Sequence, residues 1–211
     1  NHRLQQISLT DELTGLRNMR AFTWEFQKLV RATRIGNRGL GVIMFDLDHF
    51  KSVNDQANHL VGSFVIGEVG RLLLHSEVLP KDAVAARYGG DEYIIAIPSH
   101  SMLPLWDVAE RLRSLIQHTV FKRDRYMVKL TASFGIGWAE AGFSGKSSDL
   151  IKSADVMLYR SKHLGRNLVS GMRLVYPVDF TKIDEQHLLD RDQCWREQSL
   201  QSEQRQSNVG S

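Results

Sequence analysis

Residues 39–48, GLGVIMFDLD, narrow the fold further than any other stretch of the chain. From Leu40 to Phe45 there is no polar alternation, so the segment predicts a strand apolar on both faces until Asp46. Such a strand lies in the middle of its sheet and needs helices packed above and below it.

The flanking sequence supplies those helices. ISLTDELTGLRNMRAFTWEFQKLVRATRIGN reads as a compact turn closed by Leu16, then a helix with Phe22, Phe26, Leu29 and Val30 at helical spacing. From Val61, VGSFVIGEVGRLLLHSEVL predicts a second helix in spite of three glycines, and Pro80 and Asp82 mark the loop after it. AVAARYGGDEYIIAIP predicts a β-hairpin, because two apolar arms flank Gly89 and Gly90, which accept the positive φ of tight turns. Residues 104–119 predict an amphipathic helix with Leu105, Val108, Ala109, Leu112 and Ile116 on one face. VKLTASFGIGWAE follows as a strand. SSDLIKSADVMLYRSKHLGRN closes the series as a helix capped by Ser148 and ending near Gly165. The order helix, strand, helix, hairpin, helix, strand, helix predicts an α+β fold of the ferredoxin-like kind, a central antiparallel sheet with flanking helices.

Composition bounds what this domain can be part of. The 211 residues, 42% hydrophobic and 24% charged, fit one soluble domain plus an extension. No apolar run reaches membrane-span length, so no membrane contact is expected within the chain, and no signal peptide is visible. Cys194 is the only cysteine, which predicts no internal disulfide and a reducing, cytoplasmic setting. The net charge of +3 does not suggest a nucleic-acid polymer as partner. The chain starts at Asn1 rather than Met, so a fragment is expected, with residues 1–10 as the end of an incoming signalling helix. Residues 11–171 form the expected domain. Residues 172–211 are expected to be a polar, Gln/Ser-rich extension, partly helical or disordered, in which Leu188 and Trp195 belong to a fraying terminal helix.

Two carboxylates stand where strands end. Asp46 closes the apolar strand and Asp91 sits at the hairpin tip, so pairing of the two elements would bring both to one edge of the sheet. Magnesium takes one or two carboxylates and keeps other positions for water and substrate phosphates. Asp is also a common cap and turn residue at strand ends, which accounts equally for Asp46 and Asp48 taken singly. Lys162 and Arg166, four apart, are expected to share a helix face and grip a polyphosphate, although cations at a helix C-terminus also complement its dipole. Lys51 and the exposed N–H groups of the DHFK turn offer a second phosphate contact.

Taken together, DELTGLRN at 11–18, FDLDHFKSVND at 45–55, RYGGDEY at 87–93, SFGIG at 133–137 and ADVMLYRSKHLGRN at 154–167 resemble the signature blocks of the GGDEF family of nucleotide cyclases. The likeness covers about Ile7 to Ser170. It implies a polymerase-palm-like sheet and a magnesium- (or manganese-) dependent condensation of two nucleoside triphosphates into a cyclic 3′,5′-dinucleotide, with release of pyrophosphate. It also implies an antiparallel homodimer across a shared active site, and an upstream sensor module. Carried over by position, Asp46, the Leu47 carbonyl and Asp91 would bind metal. Asp91 would act as base and Lys51 would stabilise developing charge. His49 and Phe50 N–H groups, with Lys51, would meet phosphate, Lys162 and Arg166 would hold the outer phosphates, and Asn54, His59 and Ser63 would seat base and sugar.

Three positions depart from the family pattern. Tyr93 replaces the usual phenylalanine of the motif. Pro80 to Ala83 reads PKDA where an inhibitory Arg-x-x-Asp would stand, so no inhibitory site is expected. Ser63 occupies the position where cyclases making cyclic di-GMP carry an aspartate that reads guanine. A carboxylate only accepts hydrogen bonds, which matches the guanine N1–H and N2–H donors and opposes the bare N1 of adenine. A serine hydroxyl rotates to donate or accept, so it meets either purine. This resembles the hybrid promiscuous subgroup, and implies ATP and GTP as substrates and 3′,3′-cyclic GMP-AMP as product, with cyclic di-GMP and cyclic di-AMP beside it. Two alternatives stay open: a conventional diguanylate cyclase, and a degenerate nucleotide-sensing domain.

Overall fold

The computed structural model describes residues 9–177, 179–180, 188–190 and 193. Its elements are α1 (Met19–Ile35), β1 (Gly39–Leu47), α2 (Phe50–Gln56), α3 (His59–His75), β2 (Val84–Gly89), β3 (Glu92–Ser99), α4 (Leu103–His118), β4 (Phe121–Arg123), β5 (Tyr126–Val128), β6 (Ala132–Ala139), α5 (Ser147–His163), β7 (Val169–Leu174) and β8 (Leu188–Leu189). The anticipated order is there. Short elements join it that the sequence did not announce: α2, the β4–β5 ribbon, and the strands β7 and β8 at one end of the sheet.

The main sheet runs β2-β3-β1-β6-β7-β8, with β1 central as its apolar run required. β1 pairs antiparallel with both β3 and β6, whereas β6 and β7 are parallel, so the sheet is mixed. β7 continues to Leu174, past the expected boundary at residue 171, because LVSGMRL completes the sheet beside β6. Leu188, expected in a fraying helix, instead pairs through β8 with the open edge of β7, where unpaired strand groups are available. Residues 1–8, Cys194 and Trp195 lie outside the described residues.

Alternation along β1 divides the core in two. Ile43, Phe45 and Leu47 join Val65, Val69, Leu105 and Leu112 of α3 and α4, while Val42 and Met44 join Phe22, Phe26, Ala154 and Leu158 of α1 and α5. Asp46 continues the second row and therefore faces α5. Helix α5 lies directly on β6, because a Cβ at Gly135 would come within 2.1 Å of the Ala154 carbonyl oxygen. The two glycines of SFGIG, Gly135 and Gly137, thus set how closely α5 approaches the sheet. Its first turn is held by Asp149, whose carboxylate accepts from the Lys146 N–H at 3.1 Å, so the helix is capped at Lys146 rather than at Ser148.

Candidate functional site

The register of β1 against β3 sets Asp46 opposite Glu92, and the Leu47 N–H donates to the Asp91 carbonyl at 3.4 Å. Asp91, just past the hairpin turn, is thereby held beside the end of β1. Arg87 fixes that turn by donating through Nη2 to the Gly90 carbonyl at 2.7 Å, and through Nη1 to Asp11 at 3.2 Å. Asp11 in turn accepts from the N–H and hydroxyl of Thr14. DELTGL and RYGGDE are therefore one assembly at the rim of the site.

Asp46 is 15% exposed and pairs with Lys162 Nζ at 3.1 Å. Its carboxyl is pushed up to about 6, first by burial and then by the negative charge of Asp91; Lys162 opposes the shift and Glu92 adds to it. Two carboxylates close enough for one to suppress the other's ionisation make an all-oxygen donor set, which suits a hard divalent cation. Among the described residues no cluster of three or more His, Cys, Asp or Glu stands together. Magnesium sites commonly use only one or two protein carboxylates, so this pair fits that ion.

On the Asp91 side of this pair opens a cleft of about 370 Å³ that brings together Lys51, Asn54, His59, Ser63 and Asp91, with Phe50, Ile66 and Gly90 completing its wall. His49, at φ 57, turns the chain into α2, so that Phe50 is buried while Lys51 is left exposed in the first turn. Asn58 caps α3 by accepting from the Val61 N–H at 3.0 Å, and Ser63 follows half-buried on that helix. Gly62 explains one of the unexpected helix glycines. A Cβ there would lie 2.0 Å from Asn54 Oδ1, so its absence lets Asn54 rest against α3 next to Ser63.

Lys162 and Arg166 do not share a helix face. α5 ends at His163, Gly165 takes φ 120, and Arg166 sits in a left-handed turn at φ 65 with its N–H on the Ser161 carbonyl at 3.0 Å. Gly165 breaks the helical spacing that the four-residue separation presumed. The turn is anchored by Asp48, a residue whose type and place at a strand end suggest an ordinary turn aspartate. Asp48 is buried and accepts from Thr131 Oγ1 and Ser133 Oγ, each at 2.6 Å, and from the Asn167 N–H at 3.0 Å. Arg113 holds the same Asn167 from α4, with Nη1 2.9 Å from Oδ1. The signal for Asp48 was its place two residues after Asp46, just past β1, joined to two hydroxyl residues in the TAS segment. At the PKDA turn, Asp82 pairs with Arg38 at 3.0 Å.

The sequence profile described as "Diguanylate cyclase, GGDEF domain" matches residues 8–168. The response regulator PleD of Caulobacter vibrioides is 34% identical over 168 residues, which are 79% of this chain and 36% of that protein. The diguanylate cyclase VdcA of Vibrio cholerae is 37% identical over 171 residues, 79% of this chain and 48% of that protein. The chain thus spans roughly a third to a half of the length of these curated relatives. Among solved structures, the GGDEF domain of DgcB from Caulobacter crescentus in complex with c-di-GMP superposes with a TM-score of 0.72 at 29% identity. The match covers 80% of this chain and 98% of that one.

Proposed function

This chain belongs to the GGDEF-domain family of diguanylate cyclases, which are nucleotidyltransferase-type enzymes, and from that premise we propose that it is a dinucleotide cyclase whose base cleft admits both guanine and adenine. The observation that carries the proposal is that Ser63 lines the same cleft as Lys51, Asn54 and Asp91. A rotating hydroxyl stands where a purine edge would be read, and it matches either edge. On this reading GTP and ATP are substrates, and 3′,3′-cyclic GMP-AMP is the principal product.

In the proposed reaction a 3′-hydroxyl oxygen attacks the α-phosphorus of the facing nucleotide. The new ester P–O bond forms as the bond to pyrophosphate breaks, and the hydroxyl proton passes to Asp91. A divalent ion held by Asp46, the Leu47 carbonyl and Asp91 would neutralise charge on the phosphates. Lys51 lies at the cleft edge to meet charge developing on the transferring group. The His49 and Phe50 N–H groups, at the left-handed entry to α2, would receive phosphate oxygens. Lys162 would leave Asp46 for the outer phosphates, with Arg166 joining from its own turn. Asn54 and His59 would hold base and sugar beside Ser63. One domain supplies one nucleotide, so two copies facing each other would complete the site. Among the described residues no helix is long and apolar enough to cross a membrane.

A second reading is favoured by the similar proteins themselves: synthesis of cyclic di-GMP alone. VdcA is named a diguanylate cyclase, and the DgcB domain is described in complex with c-di-GMP. Incubation with equimolar ATP and GTP and magnesium separates the two. A mixed dinucleotide is the expected product, and cyclic di-GMP as the sole product would establish the second reading.

A further inference from the structure

Among the described residues Tyr93 has the largest fully buried side chain, and it does more than fill space. Its ring stacks on Phe45 at 4.7 Å with 5° between the planes, and Phe45 stacks on Phe134 at 4.7 Å. These three rings form a ladder across β3, β1 and β6, since Phe45 is the direct cross-strand partner of both others. A ring clamped in this way cannot swing. At its end the hydroxyl donates 2.9 Å to the Ile66 carbonyl of α3, 27 residues away.

Ile66 and Ser63 sit one turn apart on α3 and line the same cleft. At the other end of the strut, Tyr93 follows Asp91 by two residues. We propose that Tyr93 is a positioning residue for specificity: its hydroxyl fixes the height of α3, and so of Ser63, relative to the carboxylate end of the cleft. This rests on the nucleotide-site reading of that cleft. A helix carbonyl keeps its own intrahelical bond and has a second lone pair, so loss of the hydroxyl leaves no group orphaned. The fold would survive the change while α3 gains freedom. A recognition group needs placement within about half an ångström, so that freedom is read as lost affinity.

The test is a double-mutant cycle on the full chain, using non-hydrolysable GTP and ATP analogues with magnesium. Wild type, Tyr93→Phe, Ser63→Ala and the double variant are titrated, and each is melted thermally. Tyr93→Phe is expected to weaken binding of the GTP analogue about fivefold, the size of one buried hydrogen bond, and by less than about twofold once Ser63 is already alanine. A lowered melting temperature with unchanged affinity, or an equal loss in both backgrounds, overturns the positioning role. The GTP analogue alone decides this question. Failure of the wild type to bind the ATP analogue would instead count against dual purine use, and failure to bind either analogue overturns both.

Discussion

Lys162 Nζ lies 3.1 Å from Asp46 Oδ1, so the cation expected to hold triphosphate is paired instead with the carboxylate expected to hold metal. This contact ties the two ends of the site together. Binding of a metal-nucleotide complex would exchange this one contact for two.

That pairing is not enough to make Asp46 comfortable. Its carboxyl remains pushed up to about 6, above the ordinary 3.8, by burial and by Asp91. A folded-state value above the unfolded one means that Asp46 supports folding below about pH 4, and that this support is lost as pH rises through about 6. Asp46→Asn is therefore expected to stabilise the metal-free chain at pH 7.5, by something on the order of 2 kcal/mol, with the difference vanishing near pH 4. Urea melts at both pH values check the sign. The same variant should lose magnesium-dependent nucleotide turnover.

Protons and magnesium should compete for Asp46. The magnesium concentration needed for half-maximal nucleotide binding is expected to rise as pH falls below about 6, approaching a tenfold rise per pH unit for one proton displaced. Calorimetric titrations at pH 5 and 7.5 measure this. A flat magnesium requirement would remove Asp46 from the ligand set.

Gly62→Ala separates cleft geometry from stability. The added methyl would collide with Asn54 Oδ1, the mobile end of a side chain, while alanine favours the helix by about 1 kcal/mol. The melting temperature should stay within a few degrees. Nucleotide KM should rise about tenfold as Asn54 is displaced, with kcat changed less. Steady-state kinetics beside a thermal melt give both numbers.

Asp48→Ala should loosen the turn that carries Arg166. It removes the acceptor of two hydroxyls and of the Asn167 N–H, leaving one buried and two half-buried donors unpaired at a cost of about 2–4 kcal/mol. Asn167→Ala keeps its backbone N–H, loses the Arg113 bond to Oδ1 and puts alanine at a left-handed φ of 49, so it should cost about 1–2 kcal/mol. If the two variants melt alike, the carboxylate is not what anchors the turn.

Much of this was legible in the sequence, for physical reasons. The unbroken apolar run of β1 required a central strand, Gly89 and Gly90 required a turn between β2 and β3, and the α4 face Leu105, Val108, Ala109, Leu112 and Ile116 is buried as its spacing foretold. Strands without a marked apolar pattern were not visible. β7 carries Ser170, Gly171 and Arg173, and is held by its parallel partner rather than by propensity. The meeting of Asp46 and Asp91 followed from the two strand ends, whereas Ser63 beside Asp91 could be anticipated only through the resemblance, because it depends on how α3 packs against a distant hairpin. What no pattern announces is a single donor reaching across the core, as Tyr93 does to Ile66.

Ser63→Asp would turn the rotating hydroxyl into an obligate acceptor. The variant is expected to favour GTP over ATP by about a hundredfold more than wild type, judged from competition in mixed nucleotide, since a site that mispairs a base edge rejects it strongly. Unchanged product ratios would place discrimination elsewhere in the cleft.

The most direct test of dual purine use is the product mixture made by the wild-type chain from equimolar ATP and GTP with magnesium, resolved by chromatography and mass. Cyclic GMP-AMP as the main product is the predicted result, with both symmetric dinucleotides beside it. Cyclic di-GMP alone, with ATP untouched, would contradict it.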